Sequence, residues 1–337
     1  MRRSVTSIFS QTDDLQAVMC PEGKLGLVVT GRGRFRARVT QVSLHRLCLT
    51  DIEESLPRIA YITAPKDKVL VALSHGNRTP QVWGGISAQA DDVATLGPGH
   101  HVHARSEGAC HWGAIWFPLQ DFLDFSRALT GEPLRVPGGP SVWRSSPSAR
   151  RELRRLHSAA IQGARARSAP LAEADATHGL EQQLIHASIE CLSTDPVRTV
   201  PPATQLHRDI AVRFEELLQA QPNINLDVTE ISAALGVSER LLRRSCEQQF
   251  AISPMAYIRF RKLQLAHHDL RYSTPDTLRV SDVALHYGFR NLGRFSATYR
   301  DLFGELPSLT LLHGPYGAKA DLWSSHQTSG ARGRRLS

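Results

Sequence analysis

Residues Val228–Phe250 read VTEISAALGVSERLLRRSCEQQF, and this stretch decides the fold of the C-terminal part of the chain. Apolar Ile231, Leu235, Val237 and Leu242 fall where two short helices crossing at a steep angle must bury side chains against each other. Gly236 stands at the bend between them, where a backbone with positive φ is needed. Ser238 is placed to cap the second helix by accepting a bond from a free N–H of its first turn. A second copy follows, Val280–Arg300, reading VSDVALHYGFRNLGRFSATYR. In it Val283, Ala284, Tyr287 and Phe289 surround Gly288 much as Ile231, Ser232, Leu235 and Val237 surround Gly236, and Asn291 can cap as Ser238 does. Between the copies, Ser253-Pro254 opens a helix with proline at its first position, and Tyr257, Phe260, Leu263, Ala266 and Leu270 recur at helical spacing. The pattern predicts two helix-turn-helix motifs in tandem over residues 226–308.

Working outward, Leu206–Gln219 is expected to form the first helix of this domain, turning Ile210, Phe214, Leu217 and Leu218 towards its core. Asp195–Thr204, with Pro196, Pro201 and Pro202, reads as a linker. Upstream, eight short strands separated by turn residues are expected: Arg34–Val39, Leu44–Thr50, Arg58–Thr63, Lys68–Ser74, Gln81–Ile86, Asp92–Leu96, His101–Arg105 and His111–Phe117. A spacing of roughly ten residues suits a small jelly-roll barrel. Helical pattern then takes over in Leu119–Leu129, closed by Gly131, in Ser148–Gly163 and in Ala176–Leu192. After Pro307 the pattern is lost, and Gly314–Ser337, rich in glycine and serine with a basic end, is expected to be disordered. The fold class expected is therefore α+β, an N-terminal β-barrel with following helices and then an all-α domain.

Composition sets wider bounds. A chain of 337 residues is long enough for two cores, and its formal charge of +8 allows a polyanionic partner without requiring one. Residues 201–337 hold 17 Lys and Arg against 13 Asp and Glu, half of that excess, so any basic footprint must be local. The five cysteines stand far apart with no CxxC pair, the usage of a reducing cytoplasm, where the protein is expected to reside. No run of about 18 apolar residues exists, so no membrane span is expected, and the N-terminus lacks the apolar core of a signal peptide.

The tandem stretch resembles the DNA-binding domain of the AraC/XylS family of bacterial transcription regulators. The residues that carry the resemblance are Leu235-Gly236-Val237-Ser238, Ser253-Pro254, Tyr257-Ile258-Arg259, Leu263, Ala266, Val283-Ala284, Gly288-Phe289, Phe295, Phe303-Gly304 and Pro307-Ser308. The resemblance implies that both recognition helices lie on one face, joined by the long middle helix, and enter successive major-groove segments of one duplex. It also makes the upstream strands look like a cupin-like sensor domain over residues 1–195, followed by a linker at 196–204, the DNA-binding domain at 205–313 and a tail at 314–337. Double-stranded promoter DNA, RNA polymerase, a small-molecule effector and a second copy of the chain are the partners this implies. The helices after the barrel would either build the dimer interface or only cover the barrel.

A recognition helix offers its N-terminal outward residues to base edges. In the first motif these are Arg240, Arg243 and Arg244, with Ser238 at the helix start. Arginine donates bidentately to guanine O6 and N7, so a G-rich half-element is expected; Arg244 has an alternative as a surface partner of Glu247 or Glu216. The second helix is poorer. Gly293 stands opposite Arg240 and Ala297 opposite Arg244, and many relatives carry arginine at the Ala297 site, so Arg290, Asn291, Arg294 and Arg300 are expected to hold phosphates more than to read bases.

For the first half, Trp83, His101, His103, Trp112 and Trp116 are candidates to line an effector pocket, though any small barrel uses such aromatics as core. His101 and His103 share a strand face with Glu107 four residues on, a partial match to a metal-binding cupin whose later histidine is missing. No metal, cofactor or catalytic residue is expected, and no Walker loop, Gly-x-Ser-x-Gly elbow or His-Glu-x-x-His occurs. Two other classes stay open: a metal-dependent cupin enzyme fused to a DNA-binding domain, and an architectural DNA-binding protein that senses nothing.

Overall fold

The computed structural model describes residues 4–9, 12, 15, 24–76, 81–136, 138–166, 174–193, 202–221 and 226–313. The strands are β1 (Ser4–Phe9), β2 (Lys24–Val29), β3 (Ala37–Ser43), β4 (Cys48–Glu54), β5 (Arg58–Thr63), β6 (Lys68–Ser74), β7 (Gln81–Trp83), β8 (Ile86–Ala88), β9 (Val93–Leu96), β10 (His101–Ser106), β11 (Cys110–Pro118) and, after the first helix, β12 (Ser141–Trp143). They form two antiparallel sheets, a seven-stranded one in the order β1-β3-β4-β11-β6-β9-β12 and a five-stranded one in the order β2-β5-β10-β7-β8. The expected barrel is thus an open one, two sheets facing each other across a shared core of Val39, Ile52, Ile62, Leu70, Val102 and Ala114.

Helices α1 (Leu119–Thr130), α2 (Pro147–Arg165) and α3 (Ala174–Leu192) cover the outer face of the seven-stranded sheet, where Val69, Val71, Ile115 and Phe117 meet Leu153, Leu156 and Leu184. That double burial explains the sequence of β6, KVLVALS, an apolar run and not an alternation: one face feeds the inter-sheet core and the other lies under helices.

The structure corrects several sequence boundaries. The first two expected strands begin later, at Ala37 and Cys48, the second because Leu44 closes a tight turn on Leu47 (N–H to carbonyl, 2.8 Å). The expected Gln81–Ile86 strand is a hairpin: Gly84 and Gly85 take φ of 57° and 82° between the paired residues Trp83 and Ile86, the two-residue turn that requires positive φ twice. β1, β2 and β12 were not expected at all; β1 and β12 are the two edges of their sheet and β2 an edge of the other, and β1 is largely exposed while β12 is a buried strand of only three residues, too short to show a pattern.

The C-terminal part holds α4 (Pro202–Ala220), α5 (Val228–Ala234), α6 (Glu239–Phe250), α7 (Pro254–Arg271), α8 (Val280–His286), α9 (Leu292–Phe303) and α10 (Pro307–His313). The expected linker therefore ends earlier than Thr204, since α4 already begins at Pro202, and pattern does not end at Pro307, where α10 starts. The rest of the expected linker, residues 195–201, lies outside the described residues, as does the expected tail at 314–337. Two apolar clusters build this part. Ile210, Phe214, Ile231, Leu242 and Phe250 form one, Val283, Ala284, Phe295, Tyr299 and Leu302 the other. α7 spans both, giving Tyr257 and Ile258 to the first and Leu263, Ala266 and Leu270 to the second.

This helical part is docked on the five-stranded sheet. Val28 and Ile59 of that sheet belong to the core of the first motif. With its nitrogen turned to the Leu27 carbonyl (3.1 Å) and its oxygen to the Val29 N–H (2.6 Å), the Gln264 amide of α7 extends the ladder of edge strand β2. The Gly33 N–H donates to the Leu302 carbonyl of α9 (2.9 Å).

Candidate nucleic-acid interface

Both turns are built alike, bond for bond. Gly236 takes φ 65° and the Val237 N–H returns to the Ser232 carbonyl at 3.0 Å; Gly288 takes φ 79° and the Phe289 N–H returns to the Ala284 carbonyl at 2.8 Å. Ser238 Oγ then accepts from the Leu241 N–H (3.3 Å) at the start of α6, and Asn291 Oδ1 from the Arg294 N–H (2.9 Å) at the start of α9. The copies part at their first helices. Asp227 and Glu230 form a reciprocal capping box on α5, whereas Arg279, at the same place before α8, gives no side-chain cap.

Burial decides which face of each recognition helix is left over. On α6, Leu242, Ser245, Cys246, Gln249 and Phe250 are buried, while Arg240, Arg243 and Arg244 are exposed. Cys246 is fully buried and burial pushes its thiol up, so it is an inert core group, as its inner position implies. Arg243 carries the ion pair of this helix, to Glu239 at 3.3 Å, and Glu239 in turn accepts from the Thr229 hydroxyl of α5 at 2.6 Å. Sequence reasoning missed that pair, which is exposed and weak enough for a phosphate or base to replace. On α9, Phe295, Tyr299 and Leu302 are buried; Gly293, Arg294 and Ala297 are exposed, as are Arg290 and Asn291 just before it. All nine sequence-predicted positions are thus accessible, with three arginines on the first helix and, on the second, Gly293 and Ala297 at the places of Arg240 and Arg244. Docking on the sheet leaves these surfaces uncovered.

Buried polar groups hold the two units in shape. The Tyr257 hydroxyl donates to Glu215 (2.5 Å), which also pairs with Arg261, tying α7 to α4. In the second motif the Tyr299 hydroxyl meets both His267 Nδ1 (2.6 Å) and Thr310 Oγ1 (2.9 Å).

The residues expected to line one pocket in the first half are divided between two faces. Trp83, Trp112 and Trp116 point into the inter-sheet core, where the Trp112 ring N–H and Arg58 both donate to the buried Glu54 carboxylate at 3.0 Å. The space left beside Trp83, Trp112 and Arg58 is only about 40 Å³. His101 and His103 lie on the other face of β10, because Val102 and Ala104 of the same strand point inward. His103 is wholly buried between Tyr61 and Phe250 (ring centroids 4.9 and 4.8 Å), and burial holds its ring neutral, down at about 4. His101 meets the Thr63 hydroxyl at 2.9 Å and Glu107 pairs with Arg105 at 2.7 Å, so the histidine pair and this glutamate serve separate partners. A larger cavity, about 400 Å³, lies at the seam between sheet and helices, lined by Arg34, Phe35, Arg36, His267, Arg271 and Phe303 among others.

Two glycine-bent helix pairs, each presenting an exposed second helix, define a tandem helix-turn-helix DNA-binding domain. A family model described as a helix-turn-helix domain matches residues 231–312. The "XylDLEGF operon transcriptional activator 2" of Pseudomonas putida is 38% identical over 101 residues, which cover 29% of this chain and 64% of that protein. The "Probable thc operon regulatory protein" of Rhodococcus erythropolis is 31% identical over 107 residues, 32% of this chain and 31% of that one. A solved probable AraC family transcriptional regulator from Rhodopseudomonas palustris is 36% identical, with 31% of this chain and 94% of that one covered and a TM-score of 0.29. Residues 231–312 are thus a helix-turn-helix domain homologous to transcription activators of the AraC/XylS kind. The chain spans less than two thirds of the length of the curated relatives named here. Among the described residues no helix is long and apolar enough to cross a membrane.

Proposed function

We propose that the whole chain is a sequence-specific transcription regulator, an effector-responsive activator with residues 1–195 as sensor, 196–204 as linker and 205–313 as the DNA-binding domain. The observation that carries this is the duplicated turn with three exposed arginines on its first recognition helix. Arg240 and Arg243 read base edges; Arg290, Asn291 and Arg294 grip phosphates, which fixes register without reading sequence. Since the second helix offers Gly293 and Ala297 to the groove, one domain reads few bases, and a homodimer on a repeated site supplies the rest. Recruitment of RNA polymerase follows from the activator reading, which the names of the curated relatives favour.

The sensed molecule sits at the seam. The inter-sheet space is an order of magnitude below what a small ligand needs, whereas the seam cavity falls within that range and is walled by both halves of the chain. A ligand there changes how the DNA-binding domain is held. The test is selection of genomic fragments by the purified chain at physiological salt, with and without cell metabolites. Enrichment of defined promoter fragments over bulk competitor supports the proposal; no preference under either condition overturns it.

A further inference from the structure

On the outer face of the seven-stranded sheet, remote in role from the recognition helices, four side chains gather for which DNA binding has no use. Asp51 of β4 and His111 of β11 face His75, which follows β6, and α2 lays His157 over them. Asp51 Oδ1 lies 2.8 Å from His111 Nε2 and 3.5 Å from His75 Nε2, and these three atoms all fall within 4.8 Å of one another. His75 Nε2 is 3.2 Å from His157 Nδ1. Four donors around a zinc ion at its usual bond lengths stand about 3.3–3.4 Å apart. We propose that Asp51, His75 and His111 bind a divalent transition metal of the zinc class, with a fourth position left to water and His157 set against His75 to orient it.

Three further observations bear on this. His157 Nε2 lies 3.2 Å from the Thr50 carbonyl, which can only accept, so the proton sits on Nε2 and the Nδ1 lone pair is turned towards His75. A fixed partner behind the ligand is how metal-binding histidines are commonly oriented. Asp51 is oriented in turn, because Arg165 donates to its Oδ2 at 2.6 Å and leaves Oδ1 facing the imidazoles. Lastly, the gathering depends on Gly113, the residue opposite Asp51 in the ladder: a Cβ there would stand 2.6 Å from His157 Cε1 and 2.8 Å from His75 Nε2. His111, its side chain about one-third exposed at 36%, gives the ion an entrance, while Asp51 and His75 are buried. The positive Arg165 weakens the site for any cation, and this favours the soft, strongly bound metals over calcium or magnesium, which also want more oxygen than one carboxylate offers.

The experiment uses the full chain, stripped with chelator and titrated calorimetrically with Zn²⁺, with Co²⁺ as a spectroscopic probe of four-coordination. One ion per chain is expected, with a Tm rise on the order of 5 °C at a hundred-fold excess over Kd. His75→Ala and His111→Ala each abolish both effects, His157→Gln weakens binding about 10- to 100-fold, and the distant His286→Ala changes neither. Circular dichroism without metal shows which variants fold; if His75→Ala does not, His111→Gln, at the exposed rim, carries the same expectation. Absence of binding by the unaltered chain overturns the proposal. So does unchanged stoichiometry in a folded His75 or His111 variant, or equal loss in His286→Ala.

Discussion

At the residue scale, the arginines of α6 and those around α9 differ in what their loss does. Replacing Arg240 or Arg243 by alanine is expected to cost roughly 1–3 kcal/mol at defined bases and to flatten preference there. Replacing Arg290 or Arg294 should weaken binding to every sequence alike and lower the salt slope by about one. Affinities measured across operator variants at several salt concentrations separate the two, and uniform weakening by Arg240→Ala would remove its base-reading role. His103 gives a second residue-level expectation. Its ring is held neutral down to about 4 in the fold and titrates near 6.5 when unfolded. Between those values the unfolded chain binds the extra proton, so the contribution is complete above pH 6.5 and is lost as pH falls towards 4, up to roughly 3 kcal/mol. Glu215 opposes this shift and His101 adds to it. His103→Leu should make the melting temperature less dependent on pH across that interval; an unchanged slope would show that another group governs it.

At the element scale, the two turns and the helix between them were legible in the sequence because their chemistry is local. A positive φ needs glycine, a helix start needs an acceptor side chain, and Gly236, Gly288, Ser238 and Asn291 are what the structure uses. The sheet was less legible. β5 and β6 keep their expected limits because burial forces an apolar run, whereas β1 lies on an edge with Ile8 72% exposed and left no pattern to read. The metal-like cluster was not legible either, since Asp51, His75, His111 and His157 come together only through strand register and helix packing. Gly236→Ala tests the turn in isolation. A Cβ there meets nothing within 4 Å, so its cost is backbone strain alone, about 1–2 kcal/mol. Gly293→Ala, inside α9 with only the Asn291 side chain near at 3.5 Å, should instead stabilise by roughly 0.5–1 kcal/mol. Thermal melts of the pair are expected to move in opposite directions.

At the scale of the whole molecule, the seam is where the strand-rich half meets the helix-turn-helix half. Neither half's sequence announces it: Gln264 lies within an ordinary helical repeat, and β2 was not expected as a strand. Gln264→Leu leaves the Leu27 carbonyl and Val29 N–H of that edge without their partner, at a cost of about 1–3 kcal/mol. Faster hydrogen exchange at Val29 would register the loosened seam, and unchanged protection would show that the apolar contacts of Val28 and Ile59 suffice alone. α7 has a further consequence. Its 18 residues form an unbroken rod that is part of both cores, so it works as a ruler between the two motifs. One residue inserted into it would swing the second motif by about 100° and carry it about 1.5 Å further along. Under the proposed mode of binding, an operator must keep the two segments that the motifs meet at a set phase on the duplex, while the bases between them are free to drift.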